Sequence, residues 1–283
     1  MADNAPQKQY RQEMIMGFEQ HTSLLRQSCT TESVIKGNEA IFLVVDSGSA
    51  SAKTRGLDGL IVARPDNNTQ NTCTLSEWHD LVRKTKFNIF ESQGDQRMAM
   101  QRTTMAVVNR KIDDQIITEL NTATNDTGTA ATASLSMAVH AKTILGNNAV
   151  PWDGQITALI TPAFEAYLLQ TKEFGSADYV TKMPLENAGE AWMDQMGYYK
   201  WIGVNWIVHP NLPGAATSAE KCFMYHRSAI GHAANSAGID TNIGYNGEQD
   251  YSWCRCSMFM GAKLLQNSGV VVMNHDGSGF AAS

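Results

Sequence analysis

The chain has 283 residues, of which 43% are hydrophobic and 18% are charged, and its formal net charge is -6. This composition is typical of a soluble globular protein with a sizeable core, and it argues against disorder over most of the chain. The sequence has no local excess of Lys and Arg that would bind nucleic acid. It has no apolar run approaching about 18 residues, as a membrane span would need, and its polar N-terminal residues lack the apolar region of a signal peptide.

The N-terminal segment has a helical pattern. Arg11 to Gln27 places Met14, Phe18 and Leu25 on one face, with Gly17 as a weak point. An isolated helix of this length is marginal in water. We therefore expect this segment to pack on another surface, such as a neighbouring subunit.

A two-stranded hairpin is predicted from Glu39 to Phe87. Ala40 to Val45 is a continuous apolar run and predicts the first strand. Asp46 to Gly59 is rich in Ser, Gly and Ala and predicts an exposed tip with a few charges. The chain is expected to begin its return towards the base of the hairpin at Leu60 to Ala63. A polar turn is predicted at Pro65 to Asn71, and the second strand at Thr72 to Asn88.

A long amphipathic helix is predicted from Asp95 to Asn121. Five apolar residues recur three and four positions apart on one face: Met105, Val108, Ile112, Ile116 and Leu120. At about 1.5 Å per residue such a helix extends for roughly 40 Å. One helix of this length fits an elongated subunit.

Shorter elements follow the long helix. The composition of Thr122 to Ser134 predicts a surface loop, and Leu135 to Leu145 predicts a second helix. Ile156 to Ile160 is predicted as a buried strand. Thr161 then caps the next helix, with Pro162 at its first position.

Strand patterns dominate the last third of the chain. Trp201 to Val208 alternates well enough for one strand, which ends at the loop beginning with His209. Three further runs are predicted to form a closing sheet: Cys222 to Tyr225, Ser252 to Met260 and Val270 to Met273.

The cysteines raise a hypothesis of a metal site. Cys254 and Cys256 are two apart on a predicted strand, and with Cys222 and His226 they could surround zinc. The preferred interpretation is a pair of small buried residues, since no second Cys-x-x-Cys or His pair accompanies them. The odd total of five cysteines also indicates reduced thiols.

Catalytic patterns are weak. Cys29 or Cys73 could pair with His79 as nucleophile and base, but nothing in their surroundings indicates an activated thiol. Glu248 and Asp250 could form a carboxylate pair, although a solvated turn is the preferred interpretation. None of the sequence motifs of common hydrolase, metalloprotease or nucleotide sites is present.

Several segments resemble one family in their order and spacing. They are the segments 18–27, 36–39, 95–117, 160–179 and 261–272, which include Phe174-Gly175-Ser176-Ala177-Asp178-Tyr179 and Gly269-Val270-Val271-Val272. In this order they resemble the major capsid proteins of tailed bacteriophages, which have the Hong Kong 97 fold. No one segment is diagnostic, so the resemblance depends on their succession along most of the chain.

The resemblance implies an α+β fold with named parts. These are an N-terminal arm (1–36), an extended E-loop with flanking strands (37–90), a peripheral P-domain with the spine helix (91–144), an axial A-domain (145–220) and closing P-domain strands (221–283). The loop from His209 to Ser218 is expected nearest the capsomer axis.

The implied function is self-assembly into the hexamers and pentamers of an icosahedral head that encloses double-stranded DNA. The implied partners are other copies of the chain, a portal protein and, since only about 36 residues precede the E-loop, a separate scaffolding protein. DNA is expected to contact the shell by non-specific proximity only, with no membrane, cofactor, metal or enzymatic activity. We expect assembly in the host cytoplasm and a place in the virion capsid.

Two alternatives remain open at this stage. One is an encapsulin-like compartment shell, and the other is a cytoplasmic enzyme of unrecognised type. Candidate contacts between subunits are residues of the arm, the hairpin tip and the axial loop, namely Phe18, Leu25, Lys53, Arg55, Asp58, His209 and Asn211.

Overall fold

The computed structural model describes residues 22–33, 37–47, 50–64, 66–91, 96–175, 199–236 and 238–280. Its strands are β1 Thr30–Glu32, β2 Glu39–Asp46, β3 Asn67–Thr74, β4 Ser76–Thr85, β5 Ile156–Ile160, β6 Tyr199–Trp201, β7 Val204–Val208, β8 Glu220–His226, β9 Ile230–Ala234, β10 Asp240–Asn246, β11 Tyr251–Leu264 and β12 Val270–His275. Its α-helices are α1 Lys86–Glu91, α2 Gln96–Leu120, α3 Leu135–Asn147, α4 Pro162–Leu169 and α5 Lys172–Gly175.

The strands form two five-stranded sheets and a hairpin. In the first sheet the order is β1-β9-β11-β10, and β4 pairs with the opposite edge of β11. In the second sheet the order is β12-β8-β5-β7-β6, with β5 and β7 parallel. The hairpin consists of β2 and β3. The fold is therefore of mixed α and β content.

The predicted long helix is confirmed as α2. Val108, Ile112, Ile116 and Leu120 are all buried, while Met105 is half-buried. This face packs against the first sheet, mainly along β11. The apolar spacing in the sequence thus identified the buried face correctly, although the predicted first residue, Asp95, lies outside the described residues.

The predicted strand and capped helix after it are also confirmed. All five residues of β5 are buried, which fits a central strand covered on both faces. The hydroxyl of Thr161 accepts a hydrogen bond of 3.2 Å from the backbone N–H of Phe164, and Pro162 opens α4. Likewise α3 begins after Ser134, whose side chain accepts from the backbone N–H of Met137.

The predicted strand from Trp201 to Val208 is confirmed from Val204 onward as β7, but its start is wrong because the chain reverses at Ile202 and Gly203. Ile202 and Gly203 have φ values of 54° and 75°. Two consecutive residues with positive φ form the tight hairpin turn that matches the twist of its strands. Trp201 consequently ends β6, and Val204 begins β7 beside it.

The predicted hairpin also differs from the structure. Asn67 to Thr74 forms β3, so the polar turn predicted from Pro65 to Asn71 is wrong from Asn67 onward. The hairpin spans Glu39 to Thr74, and β4 leaves it to join the first sheet. The sequence of β3 is an almost continuous run of Asn, Thr and Gln without apolar alternation, so no strand pattern was visible in it.

The three predicted closing strands do not form one sheet. β8 and β12 pair with each other in the second sheet, whereas β11 lies in the first. The last part of the chain therefore contributes to both sheets. No helix in the described part of the chain is long and apolar enough to cross a membrane.

Candidate assembly surface

An apolar strip lies along the outer face of β2. Residues of this strand alternate, so that Ala40 and Phe42 are buried while Ile41, Leu43 and Val45 point away from the body. The latter three, here called the apolar strip, are exposed by 63%, 58% and 66%. A strand that is apolar on both faces is unusual for an isolated subunit, and exposed apolar patches mark interaction sites.

The base of the hairpin is fixed to the first sheet by two close approaches. A Cβ placed on Gly231 would lie 2.9 Å from the ring of Phe42, and one placed on Gly261 would lie 2.5 Å from the carbonyl oxygen of Thr74. Cys73 and Ala233 complete a small separate core there. The missing side chains of the two glycines therefore allow the hairpin to rest on the sheet.

The loop beyond the strands, residues 50–64, is exposed throughout. Lys53, Arg55 and Asp58 lie in it and are available to a partner, as predicted for an exposed tip. The loop also exposes a second group of apolar residues: Leu57, Leu60, Ile61 and Val62. The return of the hairpin was predicted to begin at Leu60 to Ala63, but these residues form no strand in the structure.

A groove follows the free edge of β2. In the described part of the chain β2 pairs with β3 alone, so its other edge is open. The groove measures about 350 Å³ and is lined by residues from β1, β2 and the turns near Ser228 and Leu265. Open strand edges readily accept another strand, and between Glu39 and Asp46 this one carries no charge to discourage it.

The segment 23–25 is anchored to the middle of α2 by one carboxylate. Asp113 is fully buried and accepts hydrogen bonds from the Ser23 hydroxyl at 2.6 Å and from the backbone N–H groups of Leu24 and Leu25 at 3.0 and 3.2 Å. The Leu25 side chain is itself completely buried in the core. Its prediction as a contact with another subunit is therefore corrected, and Phe18 lies outside the described residues.

His209 is likewise an internal residue. Only 1% of it is exposed, its Nδ1 accepts from the backbone N–H of Asn211 at 3.2 Å, and its Nε2 lies 3.7 Å from Asp113 Oδ2. The predicted role of His209 in contacts between subunits is thus corrected to one in fixing the loop to α2. Asn211 is exposed and lines a groove of about 380 Å³ between β4 and α2.

The other end of the same loop is held by Glu220. Its carboxylate is fully buried, accepts from the Ala216 backbone N–H at 2.9 Å and from the Thr161 hydroxyl, and lies 3.8 Å from His275 Nε2. The loop is therefore tied down at both ends by buried polar groups, which sequence spacing did not reveal.

The comparisons with known proteins decide the family. A model of the family described as phage capsid protein matches residues 2–277. The chain belongs to this family. It is thus a structural protein of the virion, and this membership indicates a non-enzymatic role. No curated protein matches the sequence.

Solved structures share the fold of this phage capsid protein at low sequence identity. A structure from Mycobacterium phage Che8 has a TM-score of 0.72 and 16% identity, over 97% of this chain and 98% of that one. The capsid of cyanophage P-SCSP1u also has a TM-score of 0.72, with 13% identity over 96% and 93%. The capsid of a native GTA particle follows at 0.68, with 12% identity over 96% of each chain. The predicted resemblance to tailed-phage capsid proteins is confirmed.

The cysteines of this phage capsid protein are all buried, and the residues of the suggested zinc site are divided between the two sheets. Cys254 and Cys256 are buried on β11, whereas Cys222 is on β8 of the other sheet. Burial raises the pKa of all three thiols, so they remain protonated. His226 bonds to Asp153 and Ser228 instead of to a thiol, and the described residues contain no group of three His, Cys, Asp or Glu arranged to hold a metal.

The residues considered as nucleophile and base, Cys29, Cys73 and His79, do not form a catalytic pair either. His79 pairs with Glu77 at 2.7 Å on β4, while burial raises the pKa of Cys29 to about 12 and that of Cys73 to about 11. Such thiols are poor nucleophiles. Asp250 accepts from the Tyr245 hydroxyl within a solvated turn of the capsid protein.

Proposed function

We propose that this chain is a major capsid protein that assembles into the hexamers and pentamers of an icosahedral tailed-phage head around double-stranded DNA. The observation that carries the proposal is the strand β2 of the hairpin, which is apolar on both faces. Its apolar strip of Ile41, Leu43 and Val45 is exposed in the subunit, and its base is firmly seated on the first sheet. Family membership and the fold of phage capsids support the same conclusion.

The energetics favour a shell over a monomer. Burying one Val, Leu or Ile side chain completely is worth about 1.5–3 kcal/mol. Three such residues on β2 and more in the loop 50–64 therefore offer several kcal/mol per contact with a neighbour. A closed symmetric particle repeats this contact at every interface, which converts modest pairwise affinity into a stable shell.

The parts of the Hong Kong 97 fold are proposed to correspond to the predicted ranges. The hairpin lies in the E-loop range 37–90 and α2 in the P-domain range 91–144, with the arm at 1–36, the A-domain at 145–220 and the closing segment at 221–283. Because β8 and β12 join β5 in the second sheet, we extend the proposed A-domain to include these two strands. Lys53, Arg55, Asp58 and Asn211 remain proposed contacts.

The partners in this proposal are other copies of the chain, a separate scaffolding protein and a portal protein, and assembly takes place in the host cytoplasm. The net charge of -6 fits an inner wall that does not bind the packaged DNA strongly. No cofactor or catalytic step is part of the proposal. The family match favours a phage head over the encapsulin-like compartment and over an enzyme.

The test replaces two residues of the apolar strip. Leu43→Ser with Val45→Ser leaves the buried face of β2 intact, so circular dichroism and melting of the subunit should change little. Shell yield, counted by negative-stain electron microscopy, should fall strongly. The matched control is Leu169→Ser with Val139→Ser, which removes one exposed Leu and one exposed Val from α4 and α3.

Two results would count against the proposal. A wild-type protein that stays a 31.0 kDa monomer at high concentration with and without scaffold would overturn the function. Equal shell yields from the strip variant and the control would remove the hairpin from the assembly mechanism.

A further inference from the structure

A second pocket contains two arginines. It is open, measures about 450 Å³ and is lined by Arg26, Gln27, Thr31 and Arg227. Arg26 belongs to the short turn before β1, and Arg227 begins the turn between β8 and β9. The parallel pairing of β1 with β9 brings these two turns together.

Backbone carbonyls hold both guanidinium groups in place. Arg227 Nε donates to the carbonyl of Cys29 at 3.1 Å, and Arg26 Nη2 donates to that of Ser236 at 3.4 Å. Within the residues that the structure describes, neither group has a carboxylate within 4.0 Å. Each guanidinium retains further N–H donors, because it has five in all.

Among the described residues, this arrangement leaves the positive charge of the two arginines without an ion pair. Arg26 is half-buried, and loss of hydration lowers its pKa. The carboxylate of Asp113, on the helix beneath, is already occupied by three donors from the segment 23–25. Two like charges that line one pocket repel each other. The net charge of the chain is -6, so a general excess of basic residues does not explain the presence of two arginines here.

We infer that the Arg26–Arg227 pocket is a binding site for an oxyanion, either a carboxylate or a phosphate group. Arginine binds both through paired N–H donors, and such charge-assisted hydrogen bonds are the strong ones. The Thr31 hydroxyl lines the same pocket and donates to the Arg26 carbonyl at 3.0 Å, which fixes the backbone of this turn. The site lies within one subunit and does not depend on the proposed shell.

The first test uses inorganic phosphate on the purified subunit. Melting is followed against phosphate concentration at constant ionic strength for the wild type, for Arg26→Gln with Arg227→Gln, and for a control, Arg102→Gln with Arg255→Gln. The control also removes two cations, from exposed positions on α2 and β11. Arg227→Gln alone is included because Arg227 is exposed, so we expect this single substitution to leave the subunit folded.

We expect phosphate to raise the melting temperature of the wild type and the control, and its apparent Kd to weaken by about tenfold or more in both pocket variants. The same response in all four proteins, or no response in any, would overturn the inference.

A second arm distinguishes the source of the anion. If the carboxylate of a second copy fills the pocket in the shell, the pocket variants should lower shell yield, and phosphate should compete with wild-type assembly. If a free phosphate is the ligand, phosphate should leave wild-type assembly unchanged or promote it. This arm identifies the source of the anion only. The existence of the site is decided by the first test, which does not require shells.

Discussion

The Ser23 hydroxyl donates a hydrogen bond of 2.6 Å to the carboxylate of Asp113, which lies 90 residues further along the chain. The same carboxylate accepts two backbone N–H groups from the next residues, so the segment that precedes β1 supplies three of the donors to this buried group. The contribution of this anchor to stability can therefore be measured by removing the carboxylate.

Asp113→Ala should destabilise the subunit by about 3 kcal/mol or more, because it leaves several buried donors without an acceptor. The free energy of unfolding in denaturant measures the effect. Asp114→Ala, at the exposed neighbouring position, is the control and should change stability by less than about 0.5 kcal/mol. Similar losses for both variants would contradict the anchoring role.

Ile112→Asp should be among the most damaging single changes in α2. Ile112 is 1% exposed and faces the first sheet, so the substitution buries an unpaired charge and should cost more than about 4 kcal/mol. Insoluble protein or a large fall in melting temperature is expected. Val107→Asp, at a position that is 38% exposed on the same helix, should remain soluble.

Gly261→Ala should loosen the hairpin from the sheet. Its Cβ would lie 2.5 Å from the Thr74 carbonyl, which is backbone and cannot rotate away. Gly238→Ala is the control, since a Cβ there meets nothing within 4 Å. Hydrogen exchange should become faster in β2 and β3 of the first variant and stay unchanged in the second, and unchanged exchange in both would refute the close approach.

His232 should make stability depend on pH. Burial, with a smaller contribution from Arg26, lowers its pKa from 6.5 to about 4, and Asp113 opposes this shift. Between these pH values the unfolded chain binds a proton that the folded chain does not, so stability falls as pH drops through this window. At about 1.4 kcal/mol per pKa unit, the loss is about 3 kcal/mol.

His232→Leu removes this proton, so its unfolding free energy should fall less than that of the wild type between pH 7 and pH 4. Denaturant titrations at several pH values measure both slopes. Equal slopes would show that His232 does not control the acid sensitivity.

Charge reversal at the hairpin tip should affect assembly and leave folding unchanged. Lys53 and Arg55 are exposed, so Lys53→Glu with Arg55→Glu should leave circular dichroism and melting of the subunit nearly the same. Shell yield should fall most at low salt, where charge repulsion between neighbours is least screened. Equal yields at low ionic strength would exclude the tip from the assembly mechanism.

Local patterns in the sequence determined the helices α2, α3 and α4 and the central strand β5. The spacing of Val108, Ile112 and Ile116 predicted the buried face of α2, because helix geometry alone brings residues three and four apart onto one side. The cap at Thr161 was predictable for the same reason, since a cap and the N–H it accepts lie within one turn. The resemblance in segment order predicted the family as well.

Tertiary structure decided the rest. Asp113 and Ser23, and likewise Arg26 and Arg227, are distant in sequence, and their proximity depends on which strands pair. The burial of Leu25 and His209, the membership of β3 in the hairpin and the division of the last strands between two sheets have the same origin. A periodic pattern specifies which side of an element is buried, but the partner that covers this side is chosen by long-range packing of the whole chain.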